Sequence, residues 1–276
     1  MTILRSPLRG PLRSPLYSPL VGKWGAFSSE ALALFARFTT PPTEARKVLI
    51  NTRIAAAKAS GAWDLRDGFY MIAAADAQAG QRNWKADAFN LTPTGTIAFE
   101  ADRGYTGNGV DGYLATGFTP STAGGQWTLN SSHMSLWSRT EAQSANIAMG
   151  ARTGAVAAQS LIILRNAGVG SFRANQDLTT GTVAVASSIG GFVARRSASN
   201  AMAFARNGAI LGTSTTVSTA LTAAALVIGA LNTNGVFSNF VTYQFASAGF
   251  GGNLTDAQIL AEYNADLAYM QGVGAA

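Results

Sequence analysis

Ala201-Met-Ala-Phe-Ala-Arg-Asn-Gly-Ala-Ile-Leu-Gly-Thr-Ser214 holds two short apolar runs separated by Asn207-Gly208. Both residues of that pair tolerate the positive φ of a type I′ turn, whose twist matches that of two paired strands. The stretch therefore reads as a β-hairpin, with strands at Ala201–Arg206 and Ala209–Gly212. Upstream and downstream the texture is the same, with short runs cut by Gly, Asn and Thr-rich turns. Ten further strands are predicted: Thr96–Ala101, Tyr113–Phe118, His133–Arg139, Ile147–Ala151, Leu161–Arg165, Ser171–Asn175, Thr182–Ser187, Phe192–Arg196, Leu226–Ala230 and Phe240–Ala248. Many short strands at near-regular spacing indicate a sandwich or barrel.

The sheet region runs into a helix. Thr255 and Gln258 fit a capping box, and Ile259, Tyr263, Leu267 and Met270 follow at spacings of four, four and three. That is an amphipathic helix with one face on the body. Residues 207–255 carry no charged side chain, yet their longest apolar stretch, Ala223–Leu231, is far shorter than the roughly 20 residues of a membrane span. A buried sheet accounts for them, and no membrane partner is expected.

Before residue 95 the pattern is helical. Ser28 or Ser29 caps a short helix carrying Leu32, Phe35 and Phe38. Thr40-Pro41-Pro42 stops it and starts another over residues 43–59, with Val48, Leu49 and Ile54 on one side and Arg46, Lys47, Arg53 and Lys58 elsewhere. Trp63, Phe69, Tyr70 and Met71 are expected in the core. Asp64 and Asp67 are read as a solvated face or caps rather than an acid–base pair.

The first twenty residues repeat: Arg5-Ser-Pro-Leu8, Arg9-Gly-Pro-Leu12, Arg13-Ser-Pro-Leu16 and Tyr17-Ser-Pro-Leu20. Pro7, Pro11, Pro15 and Pro19 exclude an α-helix, since each removes an amide donor and clashes with a preceding turn. An extended chain would line up Leu8, Leu12, Leu16 and Leu20 on one side; a polyproline II helix would wind them around the axis. A solvated tail has no physical need for a leucine in every repeat. Residues 1–24, with Arg5, Arg9, Arg13, Tyr17 and Trp24, are therefore expected to be an arm that orders on a partner protein. Three parts follow: this arm, a helical connector over 25–94 that packs on the body, and a β domain with its terminal helix over 95–276.

The 276 residues carry 20 basic and 14 acidic side chains, one histidine and no cysteine. Without cysteine there is no disulfide framework, thiol nucleophile or thiolate metal site. The net charge of +6 is uneven. Arg5, Arg9, Arg13 and Lys23 give the acid-free arm four of those charges, leaving the body near +2. A nucleic-acid-binding domain would concentrate charge on a folded face among aromatics, so no specific nucleic acid is expected. Only 12% of residues are charged, a surface suited to self-contact, and a homo-oligomer is expected.

The succession Asp102-Arg-Gly-Tyr-Thr-Gly-Asn-Gly-Val-Asp-Gly-Tyr-Leu114, Met134-Ser-Leu-Trp-Ser-Arg139, Phe204–Ser214, Leu226-Val-Ile-Gly-Ala230 and Gly252-Asn-Leu-Thr-Asp-Ala-Gln-Ile259 resembles the concanavalin A-like, laminin-G-like jelly roll over residues 95–270. The resemblance implies a mainly β, antiparallel jelly-roll sandwich. The arm, with Trp63–Tyr70 and Ala101–Gly109, also resembles tailed-bacteriophage virion proteins. That implies a non-enzymatic particle component located in the virion. It would be attached to other virion proteins by its N terminus and display the jelly roll. The alternative is a carbohydrate-binding module of a phage tail or head fibre that recognises a host-surface glycan.

The jelly-roll family implies possible sugar binding, with Ca²⁺, or hydrolysis. Retaining hydrolysis needs two carboxylates about 5–5.5 Å apart. The family's E-x-D-x-x-E strand is missing, and Glu141 and Asp177 are the only acids between residues 112 and 255, so no enzyme is expected. Asp102 and Asp111 are weak Ca²⁺ candidates with Asn108 and loop carbonyls, against the common role of Asp in turn hydrogen bonds. No other cofactor is expected. Trp127, after Gly124-Gly125, is read with Asp111 as a ligand-binding candidate, and Trp137 as core. His133 is read as a turn or edge histidine. Of the adjacent Arg195 and Arg196, alternation buries one.

Overall fold

In the computed structural model, residues 27–154, 158–177 and 180–276 are described. The arm residues Arg5 to Leu20 and Trp24 lie outside them. The strands in chain order are β1 (Arg66–Met71), β2 (Thr92–Thr94), β3 (Ile97–Glu100), β4 (Gly104–Gly107), β5 (Tyr113–Ala115), β6 (Ser132–Ser138), β7 (Met149–Arg152), β8 (Gln159–Asn166) and β9 (Val169–Gln176). They continue with β10 (Gly181–Ala184), β11 (Gly190–Ala198), β12 (Ala201–Arg206), β13 (Ala209–Ser214), β14 (Val227–Ile228), β15 (Leu231–Thr233), β16 (Val236–Ser238) and β17 (Gln244–Gly251). The helices are α1 (Ser29–Phe35), α2 (Glu44–Ala59), α3 (Ala77–Gln81) and α4 (Asp256–Gly272).

Two sheets form a sandwich. The first runs β13-β12-β11-β6-β17-β4-β3, with β1 also paired to β17. The second runs β10-β9-β8-β7-β14-β5-β2, extended by the β15–β16 hairpin. Pairing is antiparallel except for β15 on β7. The fold is thus mainly β, a jelly-roll-like sandwich, and each of the twelve predicted strands overlaps an observed one.

The core between the sheets is aromatic. Phe172 stacks on Phe204 at 5.2 Å between centroids, and Phe118 lies 4.5 Å from Phe250. Phe192 and Ala194 of β11 point into it, with Arg196 buried on the same side of the strand. Arg196 meets this burial by donating to the carbonyls of Ala174 (2.7 Å), Ser199 (2.6 Å) and Thr216 (3.1 Å). Burial holds its pKa down, to about 10. Alternation turns Arg195 to the other face, where it pairs with Asp256 at the start of α4.

The helices cover the outer face of the first sheet. Ala31, Leu34, Ile50, Ile54, Ala57, Tyr269 and Met270 bury a second core against Phe69, Met71, Trp137 and Ala246. Trp137 is core as expected, stacked on Tyr263 of α4 at 5.6 Å. Local chemistry fixes the helix starts. Ser28 caps α1 through the Ala31 amide and Thr43 caps α2 through that of Arg46. Thr255 and Gln258 complete the predicted capping box.

Three expectations are corrected. The connector is not helical throughout: β1 lies within residues 25–94 yet joins the first sheet, and β2 joins the second. Phe35 and Phe38 pack against the second core, but Leu32 is 54% exposed and Ala31 and Leu34 are buried in its place. His133 is neither at a turn nor at an edge. It is wholly buried on β6, between β11 and β17.

Candidate functional site

An ionic cluster locks α2, β1 and α4 together. Arg53 Nη2 lies 2.6 Å from Glu262 Oε2 and Arg53 Nε lies 2.6 Å from Asp266 Oδ1. Arg66 Nη2 reaches the same Glu262 oxygen at 2.5 Å. The two guanidinium carbons sit 4.5 and 4.3 Å from the centre of the Phe69 ring, a cation–π arrangement. Burial pushes the Glu262 carboxyl up, but Arg53 and Arg66 outweigh it and hold the pKa at about 2. A carboxylate kept ionised and bound by two arginines does not serve as a general acid at neutral pH. The spacing of Glu262 and Asp266, one helical turn apart, serves cohesion. His133 is close by; burial, then Arg66, hold its pKa at about 3. Its Nδ1 donates to the Gly252 carbonyl at 2.5 Å, since a carbonyl can only accept.

Above this cluster the helical layer leaves an apolar pocket. Phe38, Pro41, Pro42, Ile50, Met71, Trp84 and Tyr269 line a cavity of about 190 Å³, with Arg46 and Asp76 as its charged residues. It forms because Pro41 and Pro42 separate α1 from α2, and β1 ends at Met71 with small residues, Ala73 to Ala75, after it. Arg46 is bound by Asp102 at 2.6 Å, and Asp76 caps α3 through the Ala79 amide at 2.8 Å. The indole N–H of Trp84 is buried with no partner among the described residues. Sequence reasoning missed this pocket because residues more than 220 positions apart close it.

The predicted ligand residues separate. Trp127 is 3% exposed, so its ring offers no face to a sugar. Its backbone N–H and that of Gln126 donate to the Asp67 carboxylate at 2.8 and 2.7 Å, and its indole donates to Asn175 Oδ1 at 3.0 Å. This ties β1 in one sheet to β9 in the other. The two glycines that suggested exposure instead let the loop turn inward to Asp67. Asp67 has thus become a loop anchor.

Asp111 stays at the surface. Its Oδ1 accepts from the Thr96 amide at 3.0 Å and the Asn108 side chain at 2.7 Å, and these donors hold its pKa below the usual carboxylate value. Asn108 in turn accepts from the amides of Val110, Asp111 and Gly112. This is the turn-building role of Asp and Asn. Asp102, with φ of 59°, is engaged by Arg46. Among the described residues, no three His, Asp or Glu side chains gather as a metal site.

The outer face of the second sheet has a different chemistry. Tyr113, two residues beyond Asp111 in the chain, stacks on Phe237 at 4.4 Å, with Phe240 6.3 Å away. Phe237 and Phe240 are half-buried, and Val236 is 68% exposed. Arg152, hydrogen-bonded to Thr233 at 2.8 Å, and Arg173 add positive charge to this sheet.

No family model matches the chain, and no curated protein matches it. Solved structures do. Domain 4 of AbnA, a GH43 extracellular arabinanase from Geobacillus stearothermophilus in complex with arabinotriose, is 12% identical, with a TM-score of 0.53 over 71% of this chain and 97% of that one. A receptor binding domain is 11% identical, with a TM-score of 0.52 over 76% of this chain and 53% of that one. This chain thus spans about half of the latter. At such identities the likeness is one of fold, and both comparisons carry the sandwich.

Proposed function

We propose that this chain is a non-enzymatic virion component of the tailed-bacteriophage kind. Residues 1–24 attach it to a neighbouring particle protein, and the sandwich is displayed or packs with copies of itself. The observation that carries this reading is the division of the sequence. Four Pro-Leu repeats bearing three arginines precede a body whose described residues build two apolar cores without them. The locked state of Glu262 and Asp266 supports a role other than hydrolysis. Deleting residues 1–24 should leave a folded protein, by circular dichroism and thermal melting, that is missing from assembled particles. Full incorporation of the truncated chain would overturn the proposal.

A second reading, recognition of a host-surface glycan by the sandwich, is favoured by the aromatic cluster of Tyr113, Phe237 and Phe240, in which Tyr113 follows Asp111 by two positions in the chain. The partly exposed rings of Phe237 and Phe240 suit sugar stacking, and the arabinanase domain with a similar fold was solved with arabinotriose. On this reading Phe237→Ala abolishes binding on a glycan array while leaving the melting temperature within a few degrees. Silence of the unaltered protein across bacterial polysaccharides would count against it. Attachment and recognition use different surfaces, so both can hold. Of the two Ca²⁺ candidates, Asp102 is bound by Arg46 and Asp111 is the more exposed.

A further inference from the structure

We propose that the pocket between α2, α3 and α4 is the seat of the chain's own last arm repeat, Tyr17-Ser-Pro-Leu20. Four observations converge on this occupant. The first is size. At about 190 Å³ the cavity falls below the roughly 300–1,000 Å³ of small-molecule sites, and it suits a pair of apolar side chains such as Pro19 and Leu20.

The second is chemistry. Proline-rich segments bind grooves lined by aromatic side chains, where their exposed carbonyls take hydrogen bonds. Here Phe38, Trp84 and Tyr269 line the walls together with Pro41 and Pro42. The ring of Trp84, packed edge-on against Tyr269 at 5.7 Å, forms part of that wall.

The third is charge. Arg46 and Asp76 of the pocket are already engaged by Asp102 and by the Ala79 amide. An arginine-bearing repeat would bring a cation beside Arg46. Among the four repeats, the last alone carries Tyr17 in place of arginine.

The fourth is reach. The described chain begins at Phe27, whose ring packs edge-on against Phe35 at 5.4 Å. Phe38, three residues further, lines the pocket. Six residues separate Leu20 from Phe27, and they span up to about 20 Å or more when extended. A tethered segment is also present at an effective concentration of about millimolar, which favours the chain's own arm over that of a second copy. The inference is independent of any particle. Beside the attachment proposed above, it assigns residues 17–20 to the chain's own body and leaves residues 1–16, with the three arginine repeats, to the neighbouring protein.

The test uses the full-length protein with a photoreactive benzoylphenylalanine at position 20. Irradiation followed by peptide mapping should join position 20 to residues 38–46 or 71–79 within one chain. The yield should be unchanged on tenfold dilution, and the same probe at position 8 should give a several-fold lower yield. Ala75→Trp, at the exposed rim, should cut the position-20 yield several-fold. Crosslinks elsewhere on the body, or only between chains, would overturn the proposal. Because Ala75→Trp could disturb folding, Leu20→Asp provides a second measurement from outside the folded body. It should speed hydrogen exchange of amides 71–79, and unchanged exchange there would equally overturn the proposal.

Discussion

Glu262 shows how far a residue's role can lie from its local sequence. In the chain it is one acid on an amphipathic helix; in the fold it joins Arg53 and Arg66, from elements some two hundred residues earlier. Removing one member of a buried pair costs about 3–5 kcal/mol, because the partners remain charged and desolvated. Glu262→Gln should destabilise the protein by that order, read by denaturant unfolding at pH 7. Its pKa of about 2 lies below the 4.5 of a free glutamate side chain. The stability it contributes is therefore complete above pH 4.5 and is lost as pH falls towards 2. His133 acts in the same direction at higher pH. Burial lowers it from 6.5 to about 3, so the fold prefers the neutral ring, and its share is complete above pH 6.5 and lost on the way to 3. Stability should thus decline continuously on acidification from pH 6.5. His133→Asn, which keeps a donor for Gly252, should flatten the decline between pH 6.5 and 4.5 and leave the lower limb. An unchanged profile would mean that His133 is not held neutral by burial. Trp127 carries the same lesson for binding residues. Its ring packs against Phe118 and its indole holds Asn175, so Trp127→Ala should cost about 3–5 kcal/mol in a thermal or denaturant melt, whatever the protein binds. The adjacent glycines could not reveal this, since the Asp67 carboxylate that draws the loop inward lies some sixty residues away.

Elements were legible where their cause is local. Asn207 and Gly208 adopt φ of 51° and 81°, the two positive values that their types predicted. Three further contacts were invisible in the sequence. Asn207 Oδ1 accepts from the Gly191 amide at 3.0 Å, and a Cβ on Gly208 would lie 2.8 Å from Leu260 Cδ1 and 3.3 Å from Tyr263 Cδ1. The turn is therefore also the seat of α4. Gly208→Ala should cost more than about 1 kcal/mol, since strained φ and the displaced Leu260 add. It should also speed exchange of the α4 amides ahead of the rest, and a loss confined to the hairpin would contradict that coupling. The elements missed in the sequence have physical reasons. Strand β1 is buried on both faces, with Phe69 and Met71 towards the helices and Tyr70 towards the sandwich core. It therefore lacks the period of two that marks a half-buried strand. Strands β2, β15 and β16 are three residues each, too short for any period. In α2, Arg53 was placed away from the apolar side, because pattern alone cannot distinguish a solvated arginine from one whose acids arrive on α4.

At the scale of the molecule, the two sheets meet different surroundings. Around its centre both faces of the first are covered, by the aromatic core and by α1, α2 and α4, and β6 there is paired on each side by β11 and β17. The outer face of the second carries Tyr113, Phe237 and the arginines, and ends in short strands. This asymmetry follows from the order of elements. Helices at both ends of the body converge on β1 and β17, while β7 to β10, over residues 149–184, build one end of the other sheet. Amides open locally with free energies that rise towards the global value where burial and pairing are greatest. Hydrogen exchange should therefore be slowest at residues 133–137 and 246–250, where strands are central and doubly covered. It should be fastest, among strand amides, in the β15–β16 hairpin over 231–238. On the proposed reading the measurement bears on function, because a displayed surface would have to adapt to a partner without unfolding its support. If the slowest amides lay instead in β8 and β9, the helical layer would not be the stabilising face. The division into a covered sheet that holds the fold and an open one would then fail.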